Sequence, residues 1–337
     1  MRTALITGLA GRSLGADEAA FLKASRPAGL ILFARNIADP DQVRRLIADA
    51  RAAIGADAML VLVDQEGGRV QRLGPPHWRA LPSAALLAKL YARDPAAALA
   101  AARAVARLTA ADLKSLGFNT NCTPVLDVPV AGAHTVIGDR AYGATPGQVA
   151  ALGRAVGEGH LAQGLLPVIK HVPGHGRAIA DSHLELPIVS ASRAELTAHD
   201  FAPFRALADL PAAMTAHVVY TAIDPTAPAS TSAVVTRDVI RGEIGFAGLL
   251  MSDDLSMKAL TGPMRARAEA VIAAGSDLAL HCNGDLAEMH AAAEGVPELG
   301  GEALQRFARA TALLERNDAF DVAAATVVLD RVMSPVA

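Results

Sequence analysis

The sequence predicts an α/β fold, a single (β/α)8 TIM-type barrel, and three observations lead there. Short apolar runs alternate with alanine-rich helical patterns along most of the chain, which implies strands laid parallel with helices crossing between them. Nearly every apolar run ends in polar residues, as at the C-terminal face of a barrel, where such folds place their chemistry. The 337 residues, 52% of them hydrophobic, suffice for eight such units and a core.

Eight strands are expected: Ala4–Gly8, Gly29–Phe33, Met59–Asp64, Thr120–Asp127, Leu165–Lys170, Ala213–Val219, Gly248–Ser252 and Asp277–His281. Each is a short apolar run bounded by turn residues. Between them the helical patterns Pro40–Ala53, Pro95–Leu116, Pro146–Gln163, Arg193–Ala208 and Ala266–Ala274 are rich in alanine, the best helix former. The polar ends are Arg35-Asn36, Asp64-Gln65-Glu66, Asp127, Lys170-His171, His217, Asp253-Asp254 and His281-Cys282-Asn283. Leu286–Leu314 reads as closing helices, and the apolar stretch from Ala319 is expected to pack on the outside. The whole of 1–337 is expected to be one catalytic domain, with closing helices over about 286–337.

Composition narrows the function. The net charge of -3 and the mixture of acids and bases speak against a nucleic-acid partner, which would require a basic stripe. Cys122 and Cys282 are too few for a disulfide framework and read as buried small hydrophobes in a reducing compartment. Met1–Ile6 lacks the plan of a signal peptide, and Arg103, Arg107 and Asp112 interrupt the alanine-rich stretch Pro95–Leu113, which reads as a soluble helix and not a membrane span. A cytoplasmic protein with no membrane association and no obligate protein partner is expected. Thr7–Gly15 fits neither the dinucleotide nor the P-loop spacing and reads as a plain loop.

The densest chemistry lies in Lys170-His171-Val172-Pro173-Gly174-His175-Gly176 and the following Asp181-Ser182-His183. This reads as a buried strand emptying into a mobile, glycine-hinged loop. Lys170 and His171 should alternate, one toward the barrel mouth and one into its wall. Asp181 beside His183 would favour imidazolium and supply a general acid, unless the pair is simply solvated. His175, between glycines, has loop packing as its alternative. A carboxylate of Asp253-Asp254 at a strand end would be held accurately against a ligand, while the other caps the local structure. Asp64, Glu66, Arg69 and Arg72 around a glycine turn, with Arg140 on a further loop, offer the acceptors and donors that sugar hydroxyls take up, or else plain ion pairs. His171, His175, Asp181, His183 and His217 could in principle bind zinc, but no H-x-H or H-E-x-x-H spacing is present. No metal and no cofactor are expected.

At four blocks, Asp64–Leu73, Val136–Tyr142, Lys170–Pro187 and Met251–Met257, the chain resembles glycoside hydrolase family 3. It is most similar to the single-domain bacterial β-N-acetylglucosaminidases of peptidoglycan recycling. Val172 and Tyr142 stand where relatives commonly carry phenylalanine. The resemblance implies a (β/α)8 barrel and a retaining, two-step hydrolysis without cofactor. It implies Asp253 as nucleophile, Asp254 serving local structure, and His183 as acid/base assisted by Asp181. It also implies that Asp64, Arg72, Arg140, Lys170 and His171 hold an N-acetylglucosamine ring. The implied small-molecule substrate is N-acetylglucosamine β-linked to 1,6-anhydro-N-acetylmuramic acid. A phosphorolytic variant, a non-catalytic sugar-sensing barrel and a metal-dependent hydrolase are the alternatives. The aglycone and the oligomeric state are not written in the motifs.

Overall fold

In the computed structural model, which describes residues 2–55, 59–182 and 184–334, eight parallel strands close into a barrel. They are β1 (Thr3–Gly8), β2 (Pro27–Leu32), β3 (Leu60–Val63), β4 (Thr120–Asn121), β5 (Leu166–Val172), β6 (Ala212–Thr215), β7 (Leu249–Asp254) and β8 (Leu278–His281). Each pairs with its neighbours in sequence, and β8 closes on β1 through Leu5 opposite Ala279 and Ile6 opposite Leu280. All eight expected strands are present.

The alternation of side chains along each strand fills two layers. Ile6, Leu60, Leu62, Leu166, Val168, Met214, Leu249, Met251, Leu278 and Leu280 pack together as the barrel interior. Their sequence neighbours Leu5, Val61, Val63 and Ala279 pack in a separate cluster with the helices. Burial on both faces makes these strands continuous apolar runs, as parallel strands require. The helices carry their own signals. Asp39 caps Pro40–Ile54 by accepting from Gln42 N at 2.9 Å, Pro40 opens the helix, and Gly55 ends it at φ +66°.

Three expected elements differ, one of them the strand Ala213–Val219, which ladders only over Ala212–Thr215 while Val219–Tyr220 pairs with Ile188–Val189 outside the barrel. The Arg193–Ala208 helix is broken into Arg193–Glu195, a wider turn over Leu196–Asp200 with Phe201 N donating to Leu196 O, and Ala202–Ala206. Pro203 cannot donate to an i−4 carbonyl, and its ring crowds that carbonyl, so the chain rewinds ahead of it. The expected strand Thr120–Asp127 is a ladder only over Thr120–Asn121, because Pro124 has no N–H to offer. The chain nevertheless stays beside β5, with Leu126 N donating to Lys170 O at 2.7 Å. That irregular run delivers Asp127 next to His171.

Helices Leu286–Glu294, Gly301–Ala312 and Val322–Met333 follow β8. The last packs Ala325 and Leu329 against Val105 and Leu108 of helix Pro95–Leu116, on the outer layer. Among the described residues no helix is long and apolar enough to cross a membrane.

His160 is a buried element of this fold. Its Nδ1 lies 2.8 Å from Val156 O and its Nε2 3.1 Å from the Asn121 amide, so Nδ1–H donates and Nε2 accepts. Burial pushes its pKa down to about 4, although the Val156 bond opposes this. His175 is likewise pushed down to about 4, by burial first. For both, the folded value lies below the unfolded reference of about 6.5. Between those values the unfolded chain binds the extra proton, so stability is complete above about pH 6.5 and falls as the pH drops toward 4. We expect a loss of about 2 kcal/mol per histidine between pH 7 and pH 5, read from urea midpoints. A midpoint that stays constant over that range would refute it.

Candidate active site

A cavity of about 640 Å³ opens at the C-terminal ends of the strands, floored by Ile31, Met214 and Leu280 from the barrel interior. It gathers seven of the eight residues singled out from sequence: Asp64, Arg72, Arg140, Lys170, His171, Asp181 and Asp253. The eighth, His183, lies outside the described residues.

One wall is a closed electrostatic cluster. Lys170 Nζ lies 2.8 Å from Asp64 Oδ1 and 2.7 Å from Glu66 Oε1. Arg140 grips Glu66 through Nε and Nη2, both at 2.8 Å, and Arg72 Nη2 is 3.2 Å from Asp64 Oδ2. Burial alone would make Asp64 and Glu66 weaker acids, but Lys170 with Arg72, and Lys170 with Arg140, hold both below the usual carboxylate range. Burial would likewise drive the Lys170 ammonium to lose its proton; Asp64 and Glu66 reverse this and raise its pKa. Asp64, Glu66, Lys170 and Arg140 are therefore charged at neutral pH. Their fixed donors and acceptors line a site with little freedom to reorganise, which suits a polyhydroxylated ring.

Local sequence builds that wall. The ribbon pairing Gln65–Gly67 with Val70–Gln71 is turned by Gly67 at φ +98° and Gly68 at φ +56°. A side chain on Gly67 would meet Pro82 O at 2.2 Å, so glycine is required twice over. The Gln65 amide oxygen accepts from Arg72 N and Leu73 N, each at 3.0 Å, and fixes the return of the ribbon so that Arg72 faces Asp64.

The β5 end departs from expectation. Lys170 and His171 both line the cavity instead of alternating between mouth and wall. Pairing with β6 shifts register between Ile169 and Val172, and strict alternation is lost across that irregularity. His171 Nδ1 donates to Asp127 Oδ2 at 2.7 Å, which leaves Nε2 for the cavity side. Asp127 also accepts from the backbone N–H of His171 at 3.2 Å and of His175 at 2.6 Å. Burial opposes its ionisation, but His171 and the other donors bring its pKa down to about 2.

The first part of the following loop is not the glycine hinge expected. Residues 171–176 are buried, Tyr220 OH donates to Gly174 O at 2.6 Å, and His134 N donates to Ala178 O at 2.8 Å. A side chain on Gly176 would lie 2.1 Å from Val128 O, so this glycine permits close packing and does not confer motion. His175 turns inward, with Nε2 3.1 Å from Ser182 Oγ, and Ser182 O accepts from Ala259 N at 3.3 Å. Asp181 is thereby tethered on the cavity side.

At β7 the two aspartates divide. Asp253 faces the cavity and receives Asp254 N at 2.8 Å on Oδ1. The Asp254 carboxylate accepts from Ser256 N, Ser256 Oγ and Cys282 N, at 2.9, 2.5 and 3.0 Å. It binds the loop to β8. His217 sits beneath, its Nε2 donating to Asp254 O at 3.0 Å and its Nδ1 accepting from Ser230 at 2.6 Å; burial lowers its pKa. A carboxylate flanked by a hydrogen-bonded wall, in a cavity sized for a sugar, can serve displacement chemistry.

In the sequence Asp127 stands only as a polar strand end, a lone carboxylate inside Val125-Leu126-Asp127-Val128, and Glu66 only as one of the carboxylates around the glycine turn; the fold gives each a partner, His171 for Asp127 and Lys170 with Arg140 for Glu66.

A family model described as glycosyl hydrolase family 3 N terminal domain matches residues 8–313. A β-hexosaminidase of Alkalilimnicola ehrlichii is 44% identical over 283 residues, covering 83% of this chain and 80% of that protein. The structure of NagZ from Neisseria gonorrhoeae in complex with N-trifluoroacetyl-D-glucosamine superposes with a TM-score of 0.87 at 33% identity, over 99% of each chain. A β-N-acetylglucosaminidase of Paenibacillus sp. str. FPU-7 gives a TM-score of 0.84 at 30% identity, covering 98% of this chain, which spans 66% of that longer protein.

Proposed function

The chain belongs to glycosyl hydrolase family 3 and is a glycoside hydrolase of the β-hexosaminidase type, and from that premise we propose that it is a retaining exo-β-N-acetylglucosaminidase. Its substrate in this reading is N-acetylglucosamine β-1,4-linked to 1,6-anhydro-N-acetylmuramic acid, with or without peptide, released in cytoplasmic peptidoglycan recycling. The observation that carries the proposal is the placement of Asp253 across the same cavity as the buried Lys170–Asp64–Glu66–Arg140 cluster. The N-acetylglucosamine analogue held by the Neisseria relative supports the sugar.

In this mechanism an Asp253 oxygen forms a bond to the anomeric carbon while the bond to the leaving oxygen breaks. The electron pair stays on that oxygen, which takes a proton from imidazolium His183. Neutral His183 then removes a proton from water as the water displaces Asp253 and restores the carboxylate. Asp181 favours the charged imidazole in the first step. Asp64, Arg72, Arg140, Lys170 and His171 hold the terminal sugar. A histidine acid replaces the usual second carboxyl, so the customary separation of about 5–5.5 Å between two carboxyls is not the relevant ruler.

The test is hydrolysis of 4-nitrophenyl N-acetyl-β-glucosaminide with EDTA present, the first-formed anomer being read by proton NMR. The β-anomer is expected; an α-anomer, loss of activity to the chelator, or a sugar phosphate formed on adding phosphate would each overturn part of the reading. His183→Ala should slow substrates with poor leaving groups on the order of 100-fold or more beyond its effect on nitrophenyl glycosides, which need little protonation. Equal losses on both would remove His183 from the acid role.

A further inference from the structure

Among the described residues, the arginines and the lysine that line the cavity are ion-paired with one exception. Arg72 is paired with Asp64, Arg140 and Lys170 with Glu66, and Arg69 with Asp139 at 2.5 Å. Arg35 is the exception: it lines the cavity, is exposed, and among the described residues has no carboxylate within ion-pair distance. The carboxylates closest in its electrostatic surroundings are already occupied. Those of Asp254 serve Ser256 and Cys282, and those of Glu18 accept from Ala10 N and Gly15 N.

The Arg35 side chain is nonetheless held in place. Nε donates to Leu9 O at 2.9 Å, Nη2 donates to Cys282 O, and the guanidinium lies over Phe33, 5.0 Å from the ring centroid. A side chain on Gly8 would come within 2.2 Å of Cys282 O and 2.9 Å of Arg35 Nη2, so Gly8 keeps open the space this contact occupies. Nη1 makes no hydrogen bond among the described residues. A cation pre-positioned by two carbonyls and an aromatic ring, with one nitrogen to spare, is arranged to receive an anion.

Depth decides which part of a substrate would meet it. The side chains of Lys170, Glu66 and Arg140 are only 3, 6 and 10% exposed, so the terminal sugar of an exo-acting enzyme enters against them. Arg35 stands at the exposed rim, where the remainder of the substrate leaves the cavity. We propose that Arg35 forms an anion subsite for the aglycone and selects substrates that carry a carboxylate there. The inference rests on the exo-glucosaminidase reading above.

The experiment compares two aryl N-acetyl-β-glucosaminides, 4-nitrophenyl and 3-carboxy-4-nitrophenyl, with the unsubstituted protein and with Arg35→Gln and Arg35→Lys. Glutamine keeps a donor for the neighbouring carbonyls and removes the charge. The ratio of kcat/KM for the carboxylate-bearing over the neutral substrate is expected to fall about tenfold or more in Arg35→Gln and to recover in part in Arg35→Lys. The ratio is independent of any common loss from altered packing. An unchanged ratio in Arg35→Gln would overturn the subsite. Failure of the unsubstituted protein to cleave either compound would overturn the reading on which it rests, a different and separable result.

Discussion

Replacing Asp253 by alanine is expected to lower kcat on N-acetyl-β-glucosaminides by on the order of 10⁴-fold or more, on good and poor leaving groups alike. Without the carboxylate no glycosyl-enzyme can form, so a better leaving group does not help. The change is small in volume and at the cavity surface, so the urea midpoint should move little. Added azide offers a sharper check. It can enter the space the carboxylate vacates and attack the anomeric carbon from that face, giving the α-glycosyl azide and restoring turnover. Retention of a tenth of the activity, or azide rescue with the β-configuration, would remove Asp253 from the role. Asp254 is poorly placed to substitute, because both its oxygens are held by Ser256 and one also accepts from Cys282.

The second large effect is expected at Lys170. Its side chain is 3% exposed and touches both Asp64 and Glu66, so Lys170→Met leaves two carboxylates in a buried wall with only the arginines to balance them. Removing one member of a buried ionic group commonly costs about 3–5 kcal/mol, because the abandoned charge is not rehydrated. A loss of that size in urea unfolding is expected at pH 7, together with loss of measurable N-acetylglucosamine binding. The pH dependence should change sign. In the native protein Asp64 and Glu66 are depressed below their unfolded values, so their contribution is present above the unfolded carboxylate range and is lost as the pH falls through the folded values. In the variant, burial acts against less opposition and raises them. Their contribution is then largest below the unfolded range and is lost as the pH rises. Lys170→Met should therefore recover part of its deficit near pH 4, and a deficit that is the same at pH 4 and pH 7 would contradict the ionic account.

The barrel is legible from the order of residues alone. Eight apolar runs separated by helical periods admit few other arrangements, because parallel strands buried on both faces must be apolar throughout and must be connected by crossings. The polar residues ending nearly every run marked the face where the cavity lies, since a charged side chain at the close of a buried strand needs a solvent-facing or liganded end. Asp64, Lys170, His171 and Asp253 were legible on that ground, and the four motif blocks added Arg72, Arg140, Asp181 and His183.

The matches between distant segments arise only in the folded chain. Asp127 meets His171 because Pro124 breaks the β4 ladder and sends the chain irregularly along β5, an event no periodicity records. Glu66 becomes the partner of Arg140 across 74 positions of sequence, and Asp64 the partner of Lys170 across 106. The rigidity of residues 171–176 was equally hidden. Glycine in a sequence signals freedom, but Gly176 is pressed against Val128, and only the packed neighbour reveals which use of glycine applies. Arg35 is the same lesson in charge: a sequence counts cations and anions, while the fold decides which cation of the cavity has no carboxylate beside it among the described residues. Periodicity and strand-end chemistry are local and survive in one dimension. Pairing of charges and close approach of backbones depend on distances between elements, which exist only once the barrel has closed.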